Sequence, residues 1–255
     1  MAAEIKHEFP EKHVMLIHSR SKLLSAEPLP DDFKDKVLQL LTDMGVDVHL
    51  NQRMTNAADF EKENNDAKRE LLLSGGQRLM CDEMIYTASA HVPKTNFLPS
   101  GAWNDMGHIN VRPTLQLSSV LPEADRHFAV GDVVSWSGIK RVGNAFIMGQ
   151  FVATNIVRML LDSERSSHDT AGSQPFSLEE CPDFEPMMAL SIGQNAVVYS
   201  KGTNVAWGVH LKDAVVGRGL GIDGKFPLKD ISYSTNLTSF SVHQLSSSES
   251  SLKLV

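Results

Sequence analysis

The chain has 255 residues, 42% hydrophobic and 22% charged, the balance of an ordinary folded protein long enough for a substantial core and one or two domains. Its 24 Lys and Arg against 31 Asp and Glu give a formal charge of -7, and no basic run or basic-aromatic stripe offers a nucleic-acid track, which argues against nucleic acid as a partner. No apolar run approaches bilayer-spanning length, and the N-terminus has neither a secretory apolar region nor an Arg-rich character. The expectation is a protein that is cytoplasmic or peripheral to an organelle membrane, and not secreted.

The first nine residues read as the end of a helix stopped by Pro10. Lys12 to Ser19 form a short apolar run suited to a buried parallel strand. After Pro28 and Pro30, Asp31 or Asp32 can cap a helix whose apolar residues Phe33, Val37, Leu40, Leu41 and Met44 share one face, with Gly45 as its stop. Val46, Val48 and Leu50 then alternate with polar residues as a strand, so residues 13 to 51 read as a parallel strand-helix-strand crossover. Arg69 to Leu73, the turn Ser74-Gly75-Gly76 and Arg78 to Met80 read as a hairpin, and Asp82 to Ala88 as a strand returning to the sheet. Residues 90 to 112 are irregular, Arg112 to Leu117 read as an edge strand or hairpin arm, and His127 to Val130 as a short apolar strand.

Gly131-Asp132 follows at once, and a helix is expected from Asn144 through Phe146, Phe151, Ile156 and Val157 to Leu161. Residues 162 to 182 read as a polar linker, and the runs 187 to 192, 195 to 199 and 204 to 210 as short strands of a small β module. The stretch Gly219-Leu-Gly-Ile-Asp-Gly224 spells G-x-G-x-x-G, but Lys225-Phe226-Pro227 starts no amphipathic helix whose N-terminus could meet a phosphate, so it reads as a loop. The serine-rich tail at 246 to 251 reads as disordered, and Asn236-Leu-Thr238 matches the glycosylation pattern by chance.

Chemistry-bearing patterns are few. Cys81 and Cys181 stand far apart without C-x-x-C spacing, which removes a local redox dithiol. The ten histidines show no H-x-x-x-H or H-x-H spacing, so no metal site is expected, and a G-x-S-x-G elbow is absent. No general base or nucleophile has a recognisable supporting partner, so no catalytic side chain is assigned.

One constellation is specific. His127-Phe-Ala-Val-Gly-Asp132, followed by the small-residue run Gly143 to Val157, resembles the second flavin signature of the FAD- and NAD(P)H-dependent pyridine nucleotide-disulfide oxidoreductases. Val14 to Arg20, Gly45-Val-Asp-Val, the hairpin and Asp82 to Ser89 resemble the NAD(P)-binding half of that family in the same order. More narrowly, Val14 to Gly45 and the module from Met187 are similar to the apoptosis-inducing-factor-like group, also called the AMID or ferroptosis-suppressor type, which lacks the catalytic dithiol.

The resemblance implies an α/β fold: two partial Rossmann-like parallel-sheet domains, for FAD and NAD(P), and a small mostly β C-terminal module. Residues 1-89 would be a partial NAD(P)-binding domain, 90-165 the C-terminal segment of the FAD-binding domain, 166-182 a linker, and 183-255 the module with its tail. It implies FAD and NAD(P)H as cofactors, with Gly131 and Asp132 at the flavin ribityl chain and Asn144 and Ala145 opening the flavin-facing helix. Ser19 and Arg20 would lie at the adenosine ribose, where a cation suits a 2'-phosphate. The implied activity is NAD(P)H oxidation with electrons passing to a small acceptor such as a quinone, with a tailoring role in a secondary-metabolite pathway as a variant of it.

The departures from the family pattern are as informative. Both family glycine loops are missing from this sequence, which reads as an N-terminally truncated member, and the family's Ala-Thr-Gly turn is replaced by Thr87-Ala88-Ser89. Such a chain would expose strand edges and an apolar face. The second expectation is therefore a non-catalytic binding or scaffold protein, or a fold completed by a partner chain.

Overall fold

A parallel pair forms the first unit of the computed structural model, which describes residues 1–56, 69–87, 93–118, 121–167 and 174–216. Helix α1, Ala2–Glu8, leads into β1, Met15–Ile17, and β1 pairs in parallel with β2, Asp47–His49, through the crossover helix α2, Asp31–Asp43. The apolar stripe of α2 is why it packs: Phe33, Val37 and Leu41 are all buried. Its N-cap is Pro30, which makes no side-chain cap bond, so Asp31 and Asp32 act as charges in the first turn rather than as the cap.

The end of α2 follows from Gly45. At φ +81 it lets the chain reverse, with Gly45 N–H donating to Thr42 O at 2.9 Å and Val46 N–H to Leu41 O at 3.0 Å. This double closure satisfies orphan carbonyls and delivers buried Val46 beside buried Leu41.

Strands β3, Arg69–Leu72, and β4, Arg78–Cys81, form the expected antiparallel hairpin. The strand expected at Asp82 to Ala88 does not form in its described part: residues 83–87 carry no regular structure, and Ile85 and Tyr86 are exposed. Among the described residues β1 has a ladder with β2 alone, so the segment meets no row of backbone partners that would turn an extended chain into a strand.

His127 to Val130 is likewise extended without joining a sheet. It reaches Leu115 to Leu117 through Leu117 N–H to His127 O and Ala129 N–H to Leu115 O. The partner bends away at Leu115, which sits fully buried at φ +64, and that left-handed kink stops the ladder after an isolated bridge.

The long helix α3 spans Val142–Ser167, extending past both ends of the expected Asn144 to Leu161. Over Val142 to Arg165 it is long and apolar enough to cross a membrane by length and composition, which the sequence reading did not anticipate. Its inner face closes a core with Ile109, Leu115, Leu117, Val134, Met148, Cys181 and Phe184. Its outer face carries Val142, Phe146, Val157 and Leu160, all exposed.

The stretch expected as a polar linker is, over residues 174–182, strapped to α3 by bonds from side chains of the helix. Asn155, fully buried, donates to Thr114 O and Glu179 O and accepts from Glu179 N–H at 2.7 Å. Arg158 reaches Ser177 O and the Glu179 carboxylate, and Phe176 N–H donates to Asp162. Serine and proline content marks such a segment as irregular, but side chains on another element decide whether it is free.

The C-terminal sheet, β5 Met187–Ile192, β6 Asn195–Ser200 and β7 Ala206–Gly208, is an antiparallel meander. It shares one core with the first unit: Met188, Ile192 and Val197 pack with Ala3, Phe33, Val37 and Val46. Glu4 of α1 accepts from Ser191 Oγ at 2.8 Å and Gly193 N–H at 3.2 Å across that junction. The G-x-G-x-x-G at 219 to 224, Ala88, Ser89 and the serine-rich tail lie outside the described residues.

Two stability outcomes follow. A Cβ at Gly45 would meet Lys6 Cε at an ordinary 3.5 Å, so Gly45→Ala should cost about 1–2 kcal/mol through left-handed backbone strain rather than collision, read as a lowered urea midpoint. Asn155→Leu keeps the volume but strands the Glu179 N–H and two carbonyls, and should cost roughly 3 kcal/mol in the same measurement.

Candidate functional site

The turn Gly131–Val133 is one turn of 3-10 helix set against the entry of α3. Gly131 has φ +84, and a Cβ there would lie 3.5 Å from the Ala145 Cβ, so the turn and the first turn of the helix are in contact. Its N–H donates to Met148 Sδ, and Val134 N–H returns to Gly131 O to close the turn. Three residues singled out in the sequence, Gly131, Asp132 and Ala145, thus come together.

Asn144 joins them in space but in a different role. Its amide Nδ2 donates to Ile139 O at 2.9 Å and closes the loop into the helix. Gly138, at φ +80, lets that loop pass: a Cβ there would come within 2.7 Å of Phe184 Cβ and 3.0 Å of Asn144 Nδ2. Asn144 therefore shapes the entry of α3 and leaves Asp132 as the outward polar group.

Several residues of the loop after Asp132 are tied down. Ser135 N–H donates to Ile109 O, Trp136 Nε1 to Pro182 O, and Ser137 Oγ links Phe184 N–H to the Asp183 carboxylate. Arg141 reaches Glu27 at 2.7 Å. The Asp132 carboxylate is exposed and makes no hydrogen bond among the described residues.

Lys140, half-buried, is the site residue that sequence reasoning missed. Its ammonium donates to Val134 O just beyond the turn. Burial pulls its pKa below the usual lysine value while the Asp132 carboxylate opposes that shift. His108 on the adjoining extended segment is pushed down in turn, by burial and then by the Lys140 charge. The available signal was two cations, Lys140 and Arg141, just ahead of a helix start, where the macrodipole disfavours positive charge by about 0.3–1 kcal/mol each.

Ser19 and Arg20 lie elsewhere, exposed at the carboxyl end of β1, where Arg20 O accepts from Asn51 N–H. Beside them, His18 N–H donates to His49 O, and the two ring Nε2 atoms are buried without a hydrogen bond. The His49 Nε2 is 3.1 Å from the Asp47 carboxylate but not aligned as a hydrogen bond, and His13 lies 3.6 Å from the same carboxylate. Scattered spacing hid this cluster. It contains no group of ligands able to hold a metal, nor does any other set of described residues.

The donor set suits one part of a flavin dinucleotide. A free carboxylate on a rigid turn at the positive end of a 26-residue helix can accept polyol hydroxyls and favour negative charge in front of it. The pyrophosphate is a different matter, since neither α2 nor α3 is opened by a G-x-G-x-x-G loop.

Residues 1–149 match the profile of the family described as pyridine nucleotide-disulphide oxidoreductase. Among curated proteins, the chain is similar to oxidoreductase OXR1 of Ajellomyces capsulatus, 36% identical over 82% of this chain and 44% of that protein. It is also similar to ferroptosis suppressor protein 1 of Taeniopygia guttata, 25% identical over 70% of this chain and 47% of that protein. The chain thus spans less than half the length of the curated relatives it matches. Among solved structures, a water-forming NADH oxidase from Lactobacillus brevis bound to NADH superposes with a TM-score of 0.54 at 17% identity, over 78% of this chain and 39% of that one, a likeness of fold.

The thiols offer no redox pair. Burial pushes Cys181 up to about 12, with the Asp183 carboxylate adding to it, and burial also raises Cys81. At pH 8, iodoacetamide should modify half-exposed Cys81 well before buried Cys181, which should react at an appreciable rate in denaturant alone; peptide mass mapping over time reads the difference.

Proposed function

The chain belongs to the pyridine nucleotide-disulphide oxidoreductase family, and on that premise we propose that it serves an FAD-dependent oxidation of NAD(P)H with a quinone-like small molecule as electron acceptor. The observation that carries this reading is the rigid Gly131–Val133 turn, which leaves one exposed carboxylate, Asp132, beside the N-terminus of α3. When bound, FAD supplies the acceptance of hydride and the onward passage of electrons.

The chain's own residues bind and orient. Asp132 takes ribityl hydroxyls as a charged acceptor, and Gly131 and Ala145 keep the turn against the helix so that the carboxylate does not wander. Asn144 closes the loop that aims the helix start. The first turn of α3 offers unpaired N–H groups to developing negative charge. Ser19 and Arg20, exposed past β1, suit the adenosine ribose of NAD(P)H, with the guanidinium matched to a 2'-phosphate. A tailoring oxidation in a secondary-metabolite pathway is a role consistent with this chemistry.

A second reading, a binding or scaffold protein without flavin that meets a partner chain, is favoured by the outer face of α3, where Phe146 is 49% and Leu160 60% exposed. A helix apolar on both faces is normally covered on both.

Titration of the purified chain with FAD separates the readings. The wild type should take up FAD with a shift in the flavin absorbance spectrum, and Asp132→Ala should weaken uptake by about 1.5–3 kcal/mol, the worth of hydrogen bonds to a charged group. Oxidation of NADH and NADPH with a water-soluble quinone then reads the nicotinamide preference. No flavin uptake by the wild type leaves the scaffold reading, and unchanged uptake by Asp132→Ala removes Asp132 from the site.

A further inference from the structure

We propose that Lys140 is the positioning residue of Asp132: its ammonium, pinned on the Val134 carbonyl, holds the Gly131–Val133 turn against the entry of α3 and keeps a positive charge beside the carboxylate. This deepens the flavin reading of the turn and rests on it.

The placement of Lys140 is set by both of its neighbours. Ile139 is buried in the core of the first unit, and its carbonyl is held by the Asn144 amide. Arg141 is drawn to Glu27 of the same unit, while its second guanidinium nitrogen caps the Lys140 carbonyl at 2.6 Å. With its backbone fixed on each side, Lys140 spends its side chain on one contact, the carbonyl of Val134.

Val134 is fully buried, and its N–H closes the turn onto Gly131 O. The residue therefore joins the turn on its amide side to Lys140 on its carbonyl side. The ammonium crosses from the loop of one core to the turn of the other, and Asp132 sits inside that closure.

The charges facing Lys140 are Asp132 on the turn and His108 on the extended segment beside it. The carboxylate favours the ammonium form, and burial opposes it. A cation at the positive end of a helix is justified where an anion is to be received, because it adds to the dipole's attraction and offsets the repulsion that the Asp132 carboxylate would exert on that anion. Methionine at this position keeps the length and burial of the stem and removes both the donor and the charge, whereas arginine keeps both.

Two measurements test this. In the unliganded chain, lysine Cε resonances are titrated by NMR, with Lys140 assigned through Lys140→Arg; Asp132→Asn should move the Lys140 midpoint further down, and an unmoved midpoint overturns the proposal without any flavin present. In the FAD titration, Lys140→Met should raise the dissociation constant about tenfold and Lys140→Arg should stay within about threefold of wild type. Circular dichroism melting of both variants identifies a folding defect. Wild-type affinity in a folded Lys140→Met overturns the proposal while leaving the flavin reading standing, whereas absence of FAD uptake by the wild type itself overturns both.

Discussion

Three segments far apart in the chain meet at the Asn155 amide, and much of the second core depends on them meeting there. The helix that carries it is apolar on two faces, so burial alone would let it rotate or slide. A fully buried amide with both ends engaged, on Thr114 and Glu179, removes that freedom, because any other register would leave polar groups unpaired at about 1–3 kcal/mol each. The Arg158–Glu179 pair, one turn further on, reinforces the same strap. Met148 and Phe184 then find their places in the core, and Phe184 in turn forces a glycine at position 138.

That chain of constraints ends at the turn before α3. Gly138 and Gly131 both use positive φ, and each does so where a side chain would meet a packed neighbour. The result is a loop whose backbone is held by Trp136, Ser137, Asn144 and Arg141, while Asp132 is left facing solvent. Rigidity around one exposed charge is what preorganisation requires, since the cost of ordering the group falls on folding rather than on binding. Lys140 belongs to the same economy of form: it lies where helix electrostatics disfavour it, and carries a hydrogen bond that the turn uses.

Among the described residues two cores form rather than one, and the division does not follow chain order. The C-terminal meander packs on the N-terminal strand-helix-strand unit, joined by Glu4 across the contact of α1 with the turn after β5. The middle of the chain closes around α3 instead. Arg141 and Glu27 bridge the two near the candidate site.

Much of this was legible from residue order. The 3.6-residue stripe from Phe33 to Met44, the Gly45 stop, the alternation after it, the glycine hairpin and the first two terminal strands depend on neighbours within a few positions and formed where local pattern placed them, whereas the run expected as a strand over 204–210 is one only at Ala206–Gly208 and turns helical at Val209–Leu211. The family resemblance carried by Phe-Ala-Val-Gly-Asp at 128–132 was local in the same sense, a short motif whose residues Gly131, Asp132 and Ala145 meet in the structure. What local pattern could not supply was the ladder for residues 82–88, since a strand exists only if another backbone accepts it. Nor could it reveal that Asn144 closes a loop, that residues 174–182 are strapped to α3, or that His13 and His49 both approach Asp47 across the β1–β2 pair. Whether the partners lie five residues apart, as Asn144 and Ile139, or tens, as Asn155 and Glu179, the choice among many polar groups depends on which surfaces packing brings within hydrogen-bond distance. Lys140 shows the difference most plainly: its residue type and place before a helix were visible as an electrostatic oddity, and its partner, Val134 O, became visible when the two cores closed around the turn.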